Sequence, residues 1–392
     1  MEHRYTALEK VCFEQTVVDS LSHELKKCNS QKVLLMVSNT LFSTTSVIQT
    51  VVNRLDFLQV EIFCGIREHT PRKDLMQAVV IANTLNIDTI VAIGGGSIID
   101  AAKAVQFALN YAITSESQLL EYAQFADGSR GAQREALDKE HIKPTKSVRC
   151  IAVPTTLSGA EFSNTAGVLD SDSGNKEGYR APDLYPQTII YDPVLCQQTP
   201  EWLWLSTAIR SLDHAIEGFC SPKAYPYLEG QFLHAIKLFK ESLFAVKTDP
   251  THLAARALNQ QAVWLACCGL GRVSHGASHG IGYILGSLCG VPHGYTSCVM
   301  LPAVLQWNAA TNSDKQHAIA AALGDSNQEA YRQVKQLVSA LGLPTSLTVV
   351  GVKLDQLATV AERAYRHPVV RSNPRPINNP EQVLEILHLA WE

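Results

Sequence analysis

The sequence predicts an α/β domain followed by an all-helical domain. Three observations carry this. Short apolar runs alternate with helical-period segments from about residue 13 to residue 191, no strand pattern follows Thr199, and one strand runs directly into three glycines and a helix. Taken in order, Phe13 to Lys27 places Val17, Val18, Leu21 and Leu25 at helical spacing. Lys32 to Val37 is a short buried strand. Ser43 to Leu55 is helical again, with Ser43 or Thr44 as its cap. Val60 to Cys64 is a strand, and Pro71 to Leu85 a helix with Pro in its first turn. Thr89 to Ile93 is a strand that meets Gly94-Gly95-Gly96-Ser97 and then a helix. Cys150 to Val153 and Thr188 to Tyr191 are further strands. Strand and helix in alternation imply a mostly parallel sheet covered on both faces.

After Asp192-Pro193 helical segments dominate: Trp202 to Phe219, Tyr227 to Ala245, Thr251 to Gly269, Ser297 to Ala309, Asn327 to Leu341 and Pro380 to Trp391. The expected boundary gives domains 1–195 and 196–392. Thr114 to Lys146, rich in Ser, Gln, Glu and Gly, reads as surface loop with one short helix.

Composition narrows the function. With 46% hydrophobic and 18% charged residues and a net charge of −4, the chain is globular and lacks the basic density of a nucleic-acid or membrane-surface protein. No apolar run approaches the ~20 residues of a membrane helix. Met1 to Lys27 has no apolar segment typical of a secretion signal. The ten cysteines are scattered, only Cys267 and Cys268 being neighbours, and read as reduced thiols. The expectation is a cytoplasmic protein acting on a small-molecule substrate, without nucleic-acid or membrane partner.

The glycine turn is the clearest local signal. Three glycines let backbone approach an anion closely, and the following helix points unpaired N–H groups at it. The pattern matches neither a G-x-G-x-x-G fingerprint nor a P-loop. A tight turn without a ligand would read the same way.

Gly-Gly-Gly-Ser followed by Ile98-Ile99-Asp100-Ala101-Ala102-Lys103 is similar to the cofactor signature of iron-containing (group III) alcohol dehydrogenases. Pro154-Thr155-Thr156 with Glu161, Tyr191-Asp192-Pro193, His214-Ala215-Ile216-Glu217-Gly218, and His279 with Pro292-His293-Gly294 agree with that family and occur in its order. His69-Thr70-Pro71, the short loop Leu157-Ser158-Gly159-Ala160, and Lys176 with Tyr179-Arg180-Ala181-Pro182 resemble its maleylacetate reductase branch. The resemblance implies a dehydroquinate synthase-like architecture with the active site between the domains, and homodimers are common among such proteins. It implies a nicotinamide cofactor, NADPH or NADH, held by Gly94, Gly95, Gly96, Ser97 and Asp100, with Thr155 and Thr156 at the nucleotide and Lys176 at a phosphate or ribose. Ser38 stands where NAD-preferring members often carry Asp, so a 2′-phosphate is not repelled.

In metal-binding members an Asp and a His lie four apart on one helix, and two further His follow, 14 residues apart. Here the later positions are His214, His279 and His293, but the first is Arg210. Arginine is always protonated and cannot coordinate a cation. The reading is therefore a reductase without iron or zinc, in which Arg210 replaces the metal's charge or grips a substrate carboxylate. His279, His293 or Tyr283, which stands where the family often has another His, would supply the proton. Asp213 points off the shared face in this reading, Glu217 can approach it, and His275 is a capping or surface histidine. A structural ion pair of Arg210 with Asp213 or Glu217 is the plainer account of that residue. Three alternatives stay open: a metal-dependent alcohol dehydrogenase in which His214, His279 and His293 suffice, a non-redox enzyme on the same fold, and a catalytically silent binding protein.

Overall fold

The structure is a computed structural model describing residues 3, 5–125 and 128–392. Its contacts divide it into two units, Met1–Gln198 and Thr199–Glu392, against an expected boundary after residue 195.

The first unit holds β1 (Lys10–Cys12), α1 (Val17–Lys27), β2 (Lys32–Val37), α2 (Asn39–Thr44), α3 (Val47–Asn53), β3 (Gln59–Phe63), α4 (Arg72–Leu85), β4 (Thr89–Gly94) and α5 (Gly96–Asn110). It continues with α6 (Glu116–Leu120), β5 (Gln124–Phe125), α7 (Arg134–Asp138), β6 (Arg149–Pro154), β7 (Thr165–Leu169), β8 (Lys176–Arg180) and β9 (Thr188–Ile190). Six strands form a parallel sheet in the order β1-β9-β6-β4-β2-β3. Register places Leu35 opposite Val91, and Val91 opposite Ile151. All three are fully buried, as apolar strands covered on both faces must be. Helix α1 starts on Thr16, whose side chain accepts from the Asp19 N–H, and carries Asp19 in its first turn and Lys26 and Lys27 in its last. Both charge signs suit the helix dipole.

Two local expectations are corrected. Ser43 and Thr44 cap nothing: their hydroxyls donate back to the Asn39 and Thr40 carbonyls. Ser38 is the cap instead, its hydroxyl accepting from the Leu41 N–H at 3.3 Å, and the expected single helix is two short ones. The segment 114–146 contains two short helices and a strand; Ala126 and Asp127 within it lie outside the described residues. A second, antiparallel sheet, β5-β8-β7, was not legible, because its strands are short and carry glycines.

The regular structure of the second unit is all helical: α8 (Glu201–Cys220), α9 (Pro226–Thr248), α10 (Leu253–Cys267), α11 (Ala277–Cys289), α12 (His293–Asn308), α13 (Ser313–Leu323), α14 (Ala330–Ala340), α15 (Leu357–Arg366), α16 (Pro368–Arg371) and α17 (Pro380–Leu389). Its core includes Ile281, Leu285, Met300, Val304, Leu347, Val360 and Ile386. Helix α12 is buried on nearly all sides, so its sequence shows no single apolar stripe. Helix α11, absent from the sequence reading, carries Gly280, Gly282 and Gly286, which weaken any helical signal. Among the described residues no helix is long and apolar enough to cross a membrane.

Candidate active site

The glycine turn joins β4 to α5. Gly95 is the N-cap, and no side chain caps the helix, so the Gly96 and Ser97 N–H groups at its start face outward while the Ile98 N–H donates to the Gly95 carbonyl. Each glycine is also demanded by its neighbours. A Cβ at Gly94 would lie 2.7 Å from Ile98 Cγ1, one at Gly95 would lie 3.1 Å from Thr156 Cγ2, and one at Gly96 would lie 3.1 Å from Ser158 Oγ. Thr155 donates its N–H to the Gly94 carbonyl at 3.0 Å, so the loop carrying Thr155 and Thr156 is sewn onto the turn. Ser97 Oγ accepts from the His69 N–H at 3.1 Å, and its carbonyl accepts from Thr70 Oγ1 at 2.9 Å. His69 and Thr70 both hold left-handed backbone, φ 64° and 57°. Lys176, at the start of β8, interacts electrostatically with His69. Ser38 lies at the end of β2, next to β4, its N–H donating to the Ile93 carbonyl. Ser38, Gly94 and Thr155 thus lie at the ends of the adjacent strands β2, β4 and β6, where open α/β sheets bind ligands.

Asp100 has other work. Its Oδ2 accepts from the Gly167 N–H at 3.1 Å, and its Oδ1 pairs with Lys103 Nζ at 2.9 Å. Lys103 is fully buried and donates to the carbonyls of Ala160, Ser163 and Thr165. Glu161, fully buried, accepts from Tyr191 Oη through Oε1, while Oε2 has no hydrogen-bond partner. Burial pushes its carboxyl up to about 7, against the pull of the Tyr191 hydrogen bond.

The second unit assembles a denser cluster. Arg210, Asp213, His214 and Glu217 recur at helical spacing on α8 and are all buried. Glu217 caps α11 from outside that helix. Its carboxylate accepts from the Gly276, Ser278 and His279 N–H groups at 2.9, 2.8 and 3.3 Å. Gly276 makes this approach possible, since a Cβ there would lie 2.9 Å from Glu217 Oε1. His279 Nδ1 is 2.7 Å from Glu217 Oε2, and His279 Nε2 is 2.7 Å from His214 Nδ1. His275 stacks on His279 with ring centroids 4.2 Å apart, and its Nε2 lies 3.3 Å from His214 Nδ1. Asp213 Oδ2 accepts from Ser278 Oγ at 2.7 Å and from Ser297 Oγ at 2.6 Å. Arg210 Nη1 donates to Ser297 Oγ at 3.0 Å and lies 3.9 Å from Asp213, while its Nε has no hydrogen-bond partner.

Burial and the Arg210 charge hold the His279 imidazole well below its usual value, and the same two causes lower His275 to about 3. Burial pushes Asp213 up to about 6 against the pull of Arg210, and burial with the Asp213 charge pushes Glu217 up to about 8. The site therefore favours neutral imidazoles at His275 and His279 and protonated carboxyls at Asp213 and Glu217, beside one permanent cation.

These positions differ from expectation in three ways. Asp213 does not point off the face: the hydroxyls of Ser278 and Ser297 draw it inward, and it forms the ion pair with Arg210. His275 is neither a cap nor a surface histidine, because the turn before α11 folds it onto His279. The imidazoles whose ring nitrogens lie within 4.8 Å of one another are His214, His275 and His279, a set without His293. His293 stacks on Tyr283 at 5.9 Å, and Arg210 Cζ lies 5.4 Å from the Tyr283 ring.

Ligand atoms of His214, His275 and His279, and of Asp213, Glu217 and His279, lie within 4.8 Å of one another, so either set could hold a metal ion; three features weigh against the one that the resemblance implies. Two nitrogens bound to one zinc at tetrahedral geometry stand about 3.4 Å apart, whereas His214 and His279 are joined by a direct hydrogen bond of 2.7 Å. The fourth position presents a guanidinium. The acceptors of Glu217 and Asp213 Oδ2 are already engaged by N–H and O–H donors.

Two sequence profiles match the chain end to end. One described as "Iron-containing alcohol dehydrogenase" covers residues 9–193, and one described as "Fe-containing alcohol dehydrogenase family, C-terminal" covers residues 204–391. A dehydrogenase of Gibberella moniliformis is 28% identical, the alignment covering 94% of this chain and 93% of its own. Maleylacetate reductase 1 of Rhodococcus opacus is 27% identical over 98% of this chain and 94% of its own. The crystal structure of sulfoacetaldehyde reductase from Bifidobacterium kashiwanohense in complex with NAD+ superposes with a TM-score of 0.84, at 21% identity, over 99% of this chain and 98% of that one.

Proposed function

The chain belongs to the iron-containing alcohol dehydrogenase family and is an NAD(P)-dependent oxidoreductase, and from that premise we propose that it reduces a small carbonyl or enol-acid substrate without a metal. The observation that carries this reading is the buried guanidinium of Arg210 beside a continuous hydrogen-bonded array from Glu217 through His279 to His214. Gly94, Gly95, Gly96, Ser97, Thr155, Thr156 and Lys176 hold the dinucleotide. The reduced nicotinamide, when bound, supplies hydride to the substrate's electrophilic carbon.

The chain's own residues do the rest. Arg210 stabilises the negative charge that develops on the substrate oxygen, the role a metal plays elsewhere in the family. That oxygen then needs one proton. Burial and the Asp213 charge favour the protonated form of Glu217. Its O–H can donate to His279 Nδ1, His279 Nε2–H to His214 Nδ1, and His214 Nε2–H to the substrate. When the proton leaves His214 Nε2, each hydrogen bond reverses: His214 Nδ1 takes the His279 proton, and His279 Nδ1 takes that of Glu217. Glu217 ends as a carboxylate held by three backbone N–H groups, and solvent reprotonates it for the next turnover. NADPH is accepted because Ser38 places no carboxylate at the end of β2.

The test is a nicotinamide-fluorescence titration with NADPH and NADH on protein analysed for metal, before and after chelation, followed by turnover of short oxo acids. Binding and turnover that survive chelation are expected. Activity that vanishes with chelator and returns only with iron or zinc overturns the metal-free reading, and failure to bind either nucleotide overturns the redox reading.

A further inference from the structure

Against Tyr283 stands a histidine, His367, that sequence reading passed over. Tyr283 is ringed by Arg210, His293 and His367, the His367 centroid lying 5.4 Å away at an interplanar angle of 47°. His367 arrives from more than 80 positions further along the chain, immediately before α16. Its Nδ1 accepts from the Val369 N–H at 3.3 Å. A neutral imidazole with that nitrogen accepting carries its proton on Nε2, at the other edge of the ring. Burial and the neighbouring Arg371 hold His367 below its usual value, which keeps it neutral.

The ring stands on a rigid platform. A Cβ at Gly280 would lie 2.4 Å from Val370 Cγ2 and 2.9 Å from Val370 N, so α16 is pressed directly onto α11. Ser372 Oγ donates to the His275 carbonyl at 2.7 Å, and Asn373 Oδ1 accepts from the Ala277 N–H at 3.2 Å. The segment that carries His367 is thereby clamped to the turn that carries His275 and His279. Arg210 and His367 are both donors, each 5.4 Å from the same phenol ring, and Arg371 adds a second positive charge on the His367 side. Two such donors suit the two ends of one short-chain oxo acid: the reacting oxygen at Arg210 and an anionic group at His367.

We propose that His367 is a specificity-determining residue whose Nε2–H donates to the carboxylate of an oxo-acid substrate. This rests on the reductase reading of the same site. The experiment compares wild type, His367→Phe and His367→Gln on an ω-oxo acid and on the unsubstituted aldehyde of the same chain length. His367→Phe is expected to lower the ratio of kcat/KM for acid over aldehyde by about tenfold to a hundredfold, mainly through KM, as loss of a hydrogen bond to a charged group does. His367→Gln, which retains a donor, should recover part of it. An unchanged ratio in His367→Phe overturns the proposal, as does equal loss on both substrates. Succinate binding, measured by calorimetry, separates this from failure of the reductase reading. Where neither substrate is turned over by wild type, succinate that binds wild type and binds His367→Phe at least about tenfold more weakly still supports the assignment. Succinate that binds neither protein, or both equally, overturns it.

Discussion

The two units build their functional surfaces from different materials. In the first the surface is backbone: three glycines, an uncapped helix end, and side chains that hold the turn in shape. In the second it is side chains drawn from α8, α11, α12 and the segment before α16, brought together from far apart in the sequence. A backbone site depends first on its glycines. A side-chain site loses its chemistry with one residue, because its groups charge and orient one another.

The sharpest way to break this comparison is Arg210→Met. Turnover should fall about a hundredfold to a thousandfold, the size of a lost oxyanion partner, while nucleotide affinity, measured by fluorescence, should hold. The single variant leaves Asp213 buried without its cation and should lower Tm. The double variant Arg210→Met, Asp213→Asn should recover Tm but not turnover; recovery of both would make Arg210 a purely structural residue. Next in size is Gly95→Val, whose branched side chain meets Thr156. NADPH affinity should fall by about a hundredfold as the backbone N–H contacts are lost, with succinate binding at the other site preserved. Equal loss at both would mean that the sites do not act separately.

A smaller effect comes from Glu161. Its carboxyl is raised by burial from an ordinary 4.5 to about 7. Below 4.5 it is neutral in both folded and unfolded chains. Between 4.5 and 7 the unfolded chain ionises and the folded one does not, so stability is lost as pH rises through that window. Glu161→Gln keeps an acceptor for Tyr191 and cannot titrate. Its Tm relative to wild type should climb by a few degrees from pH 4.5 to pH 7.5, and parallel curves would show that Glu161 ionises normally. Smallest is Ser38→Asp. Asp also caps α2, so Tm should not move, while NADPH affinity should weaken about tenfold through charge repulsion and NADH affinity should not. Equal affinities would place the 2′-phosphate elsewhere.

The sequence was legible where a residue's reason is local. The turn from Gly94 to Ser97 could be found because strand, glycines and helix are contiguous, and the parallel sheet because most of its strands are short apolar runs; β1, three residues with a lysine, was missed. Arg210 stood out by spacing from His214. What escaped depends on tertiary contact. His275 reads as an ordinary loop histidine until Ser372 and Asn373 fold its turn against α11. Asp213 lies beside His214 in sequence, and only the hydroxyls of Ser278 and Ser297 explain its burial. His367 offered one faint signal, a His-Pro pair that suits a helix start. Asp100 was legible only through its place in a cofactor signature; its bond to the Gly167 N–H and its pairing with Lys103 depend on the fold and could not be read from the sequence.

Helix α11 carries a consequence for how the second unit forms. Gly280 admits Val370, and Gly282 leaves room for Thr296 and Arg210. Each glycine weakens the isolated helix by about 1 kcal/mol relative to alanine. The segment therefore has little tendency to coil by itself and becomes a helix against partners already in place. His279 and Tyr283 ride on it, so the catalytic array takes its shape from tertiary packing rather than from local helix propensity. Its amides should exchange with solvent together with those of α16, as one cooperative unit.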